Sequence, residues 1–263
     1  MNSKIDSLKT SLKSKKKLAI ALSGGLDSSA LLAISVDVLG KENCLALVAI
    51  TPYMMAEELK DAFALANKLG VELVKIEIKT IPMTLLNNPP DRCYICKAGI
   101  FSKMISESKA RGFDVIVDGS NADDLSDYRP GMRAIKELGV VSPLLECNLG
   151  KKEIREIAHH YNLNVAEKPA YACLLTRLEH NTEIDCETLK HIDETENFLR
   201  ELSFKTVRVR LHSNCARIEI DSENFEKFLS LRKIILEKLH SLKFKHIALD
   251  IQGYSKGSMN EKS

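Results

Sequence analysis

The chain has 263 residues, 44% of them hydrophobic and 28% charged, with 38 Lys and Arg against 36 Asp and Glu for a formal charge of +2. That is an ordinary composition for a folded chain, long enough for one large and one small domain with separate cores. The near balance of charge gives no global attraction for nucleic acid or a membrane surface, so any anionic ligand must be held locally.

Residues 1–17 carry Lys4, Lys9, Lys13, Lys15, Lys16 and Lys17 but no apolar run of signal-peptide length. No later run approaches a membrane span, which places the protein in the cytoplasm. Residues 18–22 read as a buried strand, and Ser23-Gly24-Gly25-Leu26-Asp27-Ser28-Ser29 as a tight turn into a helix. Glycines without Cβ let backbone N–H groups approach an anion, the serines add hydroxyl donors, and the helix offers unsatisfied amides and its positive dipole end. The spacing fits neither a Walker loop nor a three-glycine dinucleotide fingerprint.

Helical spacing continues over 28–39 to Gly40, followed by a strand at Cys44–Ile50, a helix at Ala56–Leu69 ending at Gly70, and a strand over 71–78. A helix over 98–111, a short buried strand over 115–117 and a helix over 151–161 complete the first part. Strands that alternate with helices and are mostly apolar imply an α/β fold, a parallel sheet covered by helices on both faces. Ligands of such sheets sit beyond the strand C-terminal ends, where the turn at 23–29 falls. After Pro169 the pattern changes to a helix over 184–202, strands over 206–211 and 216–220, a helix over 223–242 and a strand over 246–251. The division expected is a first domain over 1–168 and a smaller α+β domain over 169–263, with a frayed tail from 257.

Seven cysteines, an odd number with no export signal, argue against a disulfide framework and for metal binding or reactive thiols. Pro89-Pro90-Asp91-Arg92-Cys93-Tyr94-Ile95-Cys96-Lys97 sets two thiols three positions apart just ahead of a helix. Arg92, Lys97 and the helix N-terminus are expected to lower their pKa values. A structural zinc would need a second such pair or two histidines, and Cys44, Cys147, Cys186 and Cys215 are isolated. A thioredoxin-like redox pair and a pair of buried small residues stay open as readings. Cys173, in the interdomain segment, is the best third thiol; three cysteines suit an iron–sulfur cluster that leaves one iron without a protein ligand.

SGGLDSS resembles the pyrophosphate loop of the ATP pyrophosphatases, enzymes that cleave ATP between its α and β phosphates. With NNPPDRCYICK (87–97), DGSNADDLSDYRPGMRA (118–134), KPAYACLLTR (168–177), VRVRLH (207–212), ARIEI (216–220) and LDIQGY (249–254), the chain resembles the LarE family over nearly its whole length. These are ATP-dependent sulfur insertases that make the nickel-pincer cofactor of lactate racemase. The resemblance implies that ATP adenylates a carboxylate of pyridinium biscarboxylic acid mononucleotide, that pyrophosphate leaves, and that sulfur displaces AMP, once for each carboxylate. In members with a single active cysteine, the residue matching Cys173 gives up its sulfur and becomes dehydroalanine. The CxxC pair here matches members with a four-iron four-sulfur cluster, which implies that Cys93, Cys96 and Cys173 are cluster ligands.

The same resemblance sets Ser23, Gly24, Gly25, Ser28 and Ser29 around the β and γ phosphates of ATP, with Asp27 holding Mg²⁺ or capping the helix. Asp118, Asp123, Asp124 and Asp127 form an acidic cluster that can meet Mg²⁺ or the ribose, or can make a solvated turn. Asp118 leads because it closes a strand. Arg129 and Arg133 are candidates for AMP or pyrophosphate, although Asp127 can equally pair with Arg129. Arg208 and Arg210 alternate on one strand face and suit a substrate phosphate, and Arg177 is near enough to Cys173 in sequence to orient a carboxylate or phosphate. Tyr128, Tyr171 and Tyr254 are candidates to stack on an aromatic ring. The expected partners are a small-molecule mononucleotide and an unidentified sulfide donor, with no nucleic acid and no membrane; a homo-oligomer is left open. The competing readings are a tRNA thiolation enzyme, which the charge balance disfavours, an amidating ligase of the NAD synthetase kind, and a regulatory nucleotide-binding module.

Overall fold

Apolar runs that could satisfy two packed faces do so in the computed structural model, which describes residues 3–126, 130–168 and 172–255. Strands β1 (Leu18–Ala21), β2 (Cys44–Ile50), β3 (Glu72–Glu77) and β4 (Ile116–Val117) form one sheet in the order β3-β2-β1-β4, every pair parallel. Helices α1 (Ser3–Ser14), α2 (Leu26–Leu39), α3 (Ala56–Leu69), α4 (Arg92–Ala110), α5 (Pro130–Glu137), α6 (Pro143–Glu146) and α7 (Lys151–His160) complete this unit. Ile20, Ala46 and Val48 point into a core with Leu8, Leu12, Leu31, Ile34, Ile154 and Ile157. Their strand neighbours Ala19, Leu45 and Leu47 point the other way, into one with Phe101, Met104, Phe113 and Ile135. The sheet is thus covered on both faces, as expected. Edge strand β3 buries only Val74 and Ile76, which alternate with exposed Lys75 and Glu77.

Helices α1 and α4 depart from the sequence expectation. The lysine-rich start of the chain is helical: Leu8 and Leu12, one turn apart, are fully buried, while Lys9 between them is half-buried and lies 3.6 Å from Asp37. Helix α4 begins at Arg92, six residues before the expected start, so Cys93 and Cys96 lie within its first turns instead of ahead of it.

A second compact unit takes Pro82–Pro90 together with the chain from Ala172 onward. Its elements are a 3₁₀ helix at Leu174–Arg177, α8 (Cys186–Glu201), β5 (Val207–His212), β6 (Cys215–Ile220), α9 (Phe225–Ser230), α10 (Arg232–Ser241) and β7 (His246–Leu249). The sheet order is β5-β6-β7, antiparallel then parallel. Val207, Val209, Ala216, Ile218 and Ile220 are fully buried on one face of it. The single helix expected over 223–242 is two, separated by Leu231 at φ −93° and ψ 6°. Among the described residues, no helix is long and apolar enough to cross a membrane.

Helix α8 starts on a side-chain cap. Asp185 accepts from Thr188 N–H (2.8 Å), Thr188 Oγ1 (2.7 Å) and Glu187 N–H (3.3 Å). The Thr188 hydroxyl first, then the two amides, hold its carboxyl below the usual carboxylate range. A carboxyl lowered by folding stabilises above its unfolded pKa and loses that contribution as pH falls through the folded value. Asp185→Ala is therefore expected to reduce unfolding free energy by about 1 kcal/mol at neutral pH. In urea titrations the difference from wild type should shrink as the pH drops below the carboxylate range.

Candidate functional site

The chain runs outward from β1 to β2 and β3, then returns to place β4 on the other side of β1. This reversal opens a crevice beyond the C-terminal ends of β1 and β4, the ordinary ligand position in such sheets. Two glycines bring backbone to backbone there. Gly24 has φ +87°, and a Cβ on it would lie 2.0 Å from the Glu58 carbonyl oxygen. A Cβ on Gly119, just after β4, would lie 2.9 Å from the amide nitrogen of Ser28. Within the loop, Ser28 Oγ lies 3.1 Å from Ser23 N, 3.0 Å from Ser23 Oγ and 3.3 Å from Gly25 O, and Gly25 N–H donates to Ser23 Oγ at 3.3 Å. Helix α2 starts at Gly25 without a side-chain cap, so its dipole end is left for an external anion. Ser29, grouped with these residues from the sequence, is buried and lines a separate small cavity with Asp61, Lys68, Leu163 and Val165.

Asp27 caps nothing. Its carboxylate is gripped by Lys151 Nζ at 2.7 and 2.5 Å, a pair 124 residues apart in the chain. Lys151 was not singled out from the sequence, yet it opens α7, where a cation opposes the helix dipole. That misplacement is the signal that could have found it. Its own N–H donates to Asp123 Oδ2 at 2.7 Å. Asp118, at the end of β4, accepts from the hydroxyls of Ser120 and Ser142, each at 2.6 Å. Asp124 accepts from Asn121 N–H (3.1 Å) and Asn121 Nδ2 (3.2 Å), closing a local turn. Arg133 stacks over the Tyr94 ring at 4.1 Å and lies 3.6 Å from Glu137, a surface cluster on α4 and α5. Asp127, Tyr128, Arg129 and Tyr171 lie outside the described residues.

On α4, Cys93 is exposed and Cys96 half-buried. The expectation of lowered thiol pKa values fails at Cys96: burial pushes its thiol up, with Cys93 adding to the rise and the Tyr53 hydroxyl, 3.3 Å from Sγ, acting against it. Tyr53 is another residue that sequence reasoning missed. Among the described residues, no group of three His, Cys, Asp or Glu side chains stands ready to hold a metal ion. Cys44 is a core residue of β2, as expected, and burial pushes its thiol up to about 12.

In the second unit Cys173 is exposed at the N-cap of the 3₁₀ helix. Arg177, expected to meet a substrate anion, is instead fully buried. Its Nε and Nη2 donate to the two oxygens of Glu196, each at 2.8 Å, and its Nη1 donates to Ala172 O (2.7 Å), Thr176 Oγ1 (2.9 Å) and Cys173 O (3.3 Å). A guanidinium out of water needs a paired carboxylate, and Glu196 on α8 is that partner. Burial raises the Glu196 carboxyl, and Arg177, with Arg208 and Arg200, more than offsets it, leaving it below its ordinary range. Arg208 and Arg210 do share one face of β5, but both are buried. Arg210 donates to both Glu219 oxygens at 3.2 Å and to Thr176 O at 2.8 Å. Arg208 donates to Val207 O at 2.7 Å and lies over the Tyr254 ring at 5.3 Å. Burial first, and then the charge of Arg177, push its guanidinium below its usual value.

Comparison with known proteins fits this geometry. A family model described as NAD synthase matches residues 1–99, the part that carries the β1–α2 loop. An uncharacterised protein of Methanocaldococcus jannaschii is 39% identical over 95% of this chain and 97% of its own length. One from Synechocystis is 37% identical over 99% and 98%. The pyridinium-3,5-bisthiocarboxylic acid mononucleotide synthase of Lactiplantibacillus plantarum is 32% identical over 97% of this chain and 92% of its own length.

Replacing Gly24 by Ala forces a side chain into the Glu58 carbonyl at a φ that L residues avoid. Gly24→Ala should lower the melting temperature and remove nucleotide binding by calorimetry. Gly99→Ala, on α4 with nothing within 4 Å of the added Cβ, should leave binding unchanged and stabilise by about 0.5–1 kcal/mol.

Proposed function

The chain belongs to the family of pyridinium-3,5-bisthiocarboxylic acid mononucleotide synthase, and from that premise we propose that it is an ATP-dependent sulfur transferase acting on the two carboxylates of pyridinium biscarboxylic acid mononucleotide. The observation that carries the reading is the uncapped, glycine-lined start of α2 at the crevice between β1 and β4. Such a site suits the β and γ phosphates of ATP.

In this reading Ser23, Gly24, Gly25 and Ser28 hold the leaving pyrophosphate, with Ser29 supporting the loop from beneath. Asp27 would hold Mg²⁺, with Lys151 turning its ammonium to the phosphates, and Asp118, Asp127 and Arg129 complete the nucleotide set. A substrate carboxylate oxygen attacks the α-phosphorus, the bond to the β-phosphate oxygen breaks, and pyrophosphate leaves. The sulfur of a hydrosulfide then attacks the acyl carbon; AMP leaves with the former carboxylate oxygen, a proton is released, and a thiocarboxylate remains. The mononucleotide's phosphate is assigned to Arg208 and Arg210. Supporting this, Arg208 and Arg210 share one face of β5, so a phosphate would meet two guanidiniums there. Arg177 contributes through the Cys173 backbone.

Cys93, Cys96 and Cys173 are assigned as the holders of a four-iron four-sulfur cluster. The donor set fits: soft thiols, two of them one helical turn apart and one exposed on a fixed turn. When bound, a cluster with three protein thiolates supplies an open iron for exogenous sulfide. Thiols outside any disulfide suit the reducing cytoplasm, with a separate sulfide donor.

The test is turnover of the anaerobically purified chain with ATP, Mg²⁺, sulfide and the biscarboxylic mononucleotide. Substrate-dependent AMP and pyrophosphate release, with a product mass rising by one oxygen-to-sulfur exchange per carboxylate, is the expected result; no substrate-dependent pyrophosphate would defeat the reading. Iron and acid-labile sulfide should fall in Cys93→Ala. A Cys173 converted to dehydroalanine after one turnover, in iron-free protein, would replace the cluster by the sacrificial route.

A further inference from the structure

Between β3 and α4 the chain leaves the first unit, and Pro82–Pro90 packs with the second. The residue that secures this excursion is Asn88. It is fully buried, with φ +46°, a conformation that Asn tolerates better than other side chains. Its Nδ2 donates to three backbone carbonyls: Glu179 O at 2.8 Å, and Leu175 O and Leu178 O at 3.3 Å each. Its own carbonyl accepts from Asn181 N–H at 3.1 Å, and Leu86 O accepts from Ile184 N–H at 2.8 Å.

Those carbonyls lie along and just past the 3₁₀ helix Leu174–Arg177, where a helix end leaves acceptors unfilled. The other end of the same helix is Cys173. Its carbonyl accepts from Thr176 Oγ1 (2.8 Å), Thr176 N–H (3.0 Å) and Arg177 Nη1 (3.3 Å), and Arg177 is itself locked to buried Glu196. One short turn is therefore clamped at its front by Arg177 and at its back by Asn88, and the thiol it carries is exposed. A reactive group on a turn with so few backbone freedoms is preorganised, and displacements of about 1 Å at such groups cost about a hundredfold in rate.

We infer that Asn88 is a positioning residue for sulfur transfer: by binding the carbonyls of Leu175, Leu178 and Glu179 it fixes the turn that presents Cys173. The inference rests on the sulfur-transfer reading above. It assigns Asn88 no part in adenylation, whose ATP-holding residues lie in the first unit.

The experiment compares wild type with Asn88→Gly, which keeps the left-handed backbone but removes the amide donors, and Asn88→Asp, which keeps the shape but turns donors into acceptors. Two readouts are taken. The first is the iodoacetamide labelling rate of Cys173 relative to exposed Cys186 of the same unit, measured on peptides from the folded apoprotein. The second is substrate-dependent pyrophosphate release set against thiocarboxylate formation. Both variants should change the Cys173-to-Cys186 labelling ratio several-fold, and thiocarboxylate formation should fall about tenfold or more while pyrophosphate release stays within about twofold of wild type. An unchanged labelling ratio with unchanged product formation overturns the inference. So does a parallel loss of both half-reactions, or unfolding of both variants, since Asn88 would then serve stability alone. Should wild type release no pyrophosphate with the substrate, the sulfur-transfer reading fails, and the labelling ratio still decides whether Asn88 sets the Cys173 turn.

Discussion

Two approaches of main chain to main chain make the first unit's crevice. Where α3 presses its Glu58 carbonyl toward Gly24, and where the segment after β4 brings Gly119 onto the first turn of α2, there is no room for a single carbon atom. These contacts hold amide groups at the end of a buried sheet, in a position where water would otherwise be the only partner for the helix dipole. The double-sided core supports this geometry. Strands buried on both faces resist displacement, so the loop that leaves β1 begins from a rigid point.

The second unit solves a different problem, that of keeping several guanidiniums out of water. Glu196 accepts from Arg177 and Arg200 and from the Val209 amide, while Glu219 takes Arg210 and Arg217. Buried charge pairs of this kind add little net stability, but removing one member leaves the other stranded at a cost of about 3–5 kcal/mol. Such a network specifies one arrangement of α8, β5 and the 3₁₀ helix more than it stabilises the fold.

How much of this could be read in advance follows the range of each interaction. The parallel sheet and the loop after β1 were legible, since an apolar strand, a glycine pair and a helix start are neighbours in the chain. Helix α1 was hidden because Leu8 and Leu12 alone are its fully buried positions in a lysine-rich segment, and the start of α4 because its N-cap Asp91 makes no side-chain cap and its first turn carries no acidic residue. Asp27 with Lys151 and Arg177 with Glu196 join residues 124 and 19 positions apart. No periodicity reports such pairs. Arg208 and Arg210 were visible as a same-face pair, but whether a strand face meets water or a carboxylate is decided by what packs on it.

The grip of Lys151 on Asp27 bears on the order in which ligands arrive. An aspartate already neutralised by a tethered ammonium draws a bare dication less strongly than a lone carboxylate does. A dication delivered together with a polyanion meets a different balance, because the displaced ammonium finds a new counter-charge at once. With Asp27 as the proposed Mg²⁺ ligand, the ion pair would favour a chelated metal over a free one.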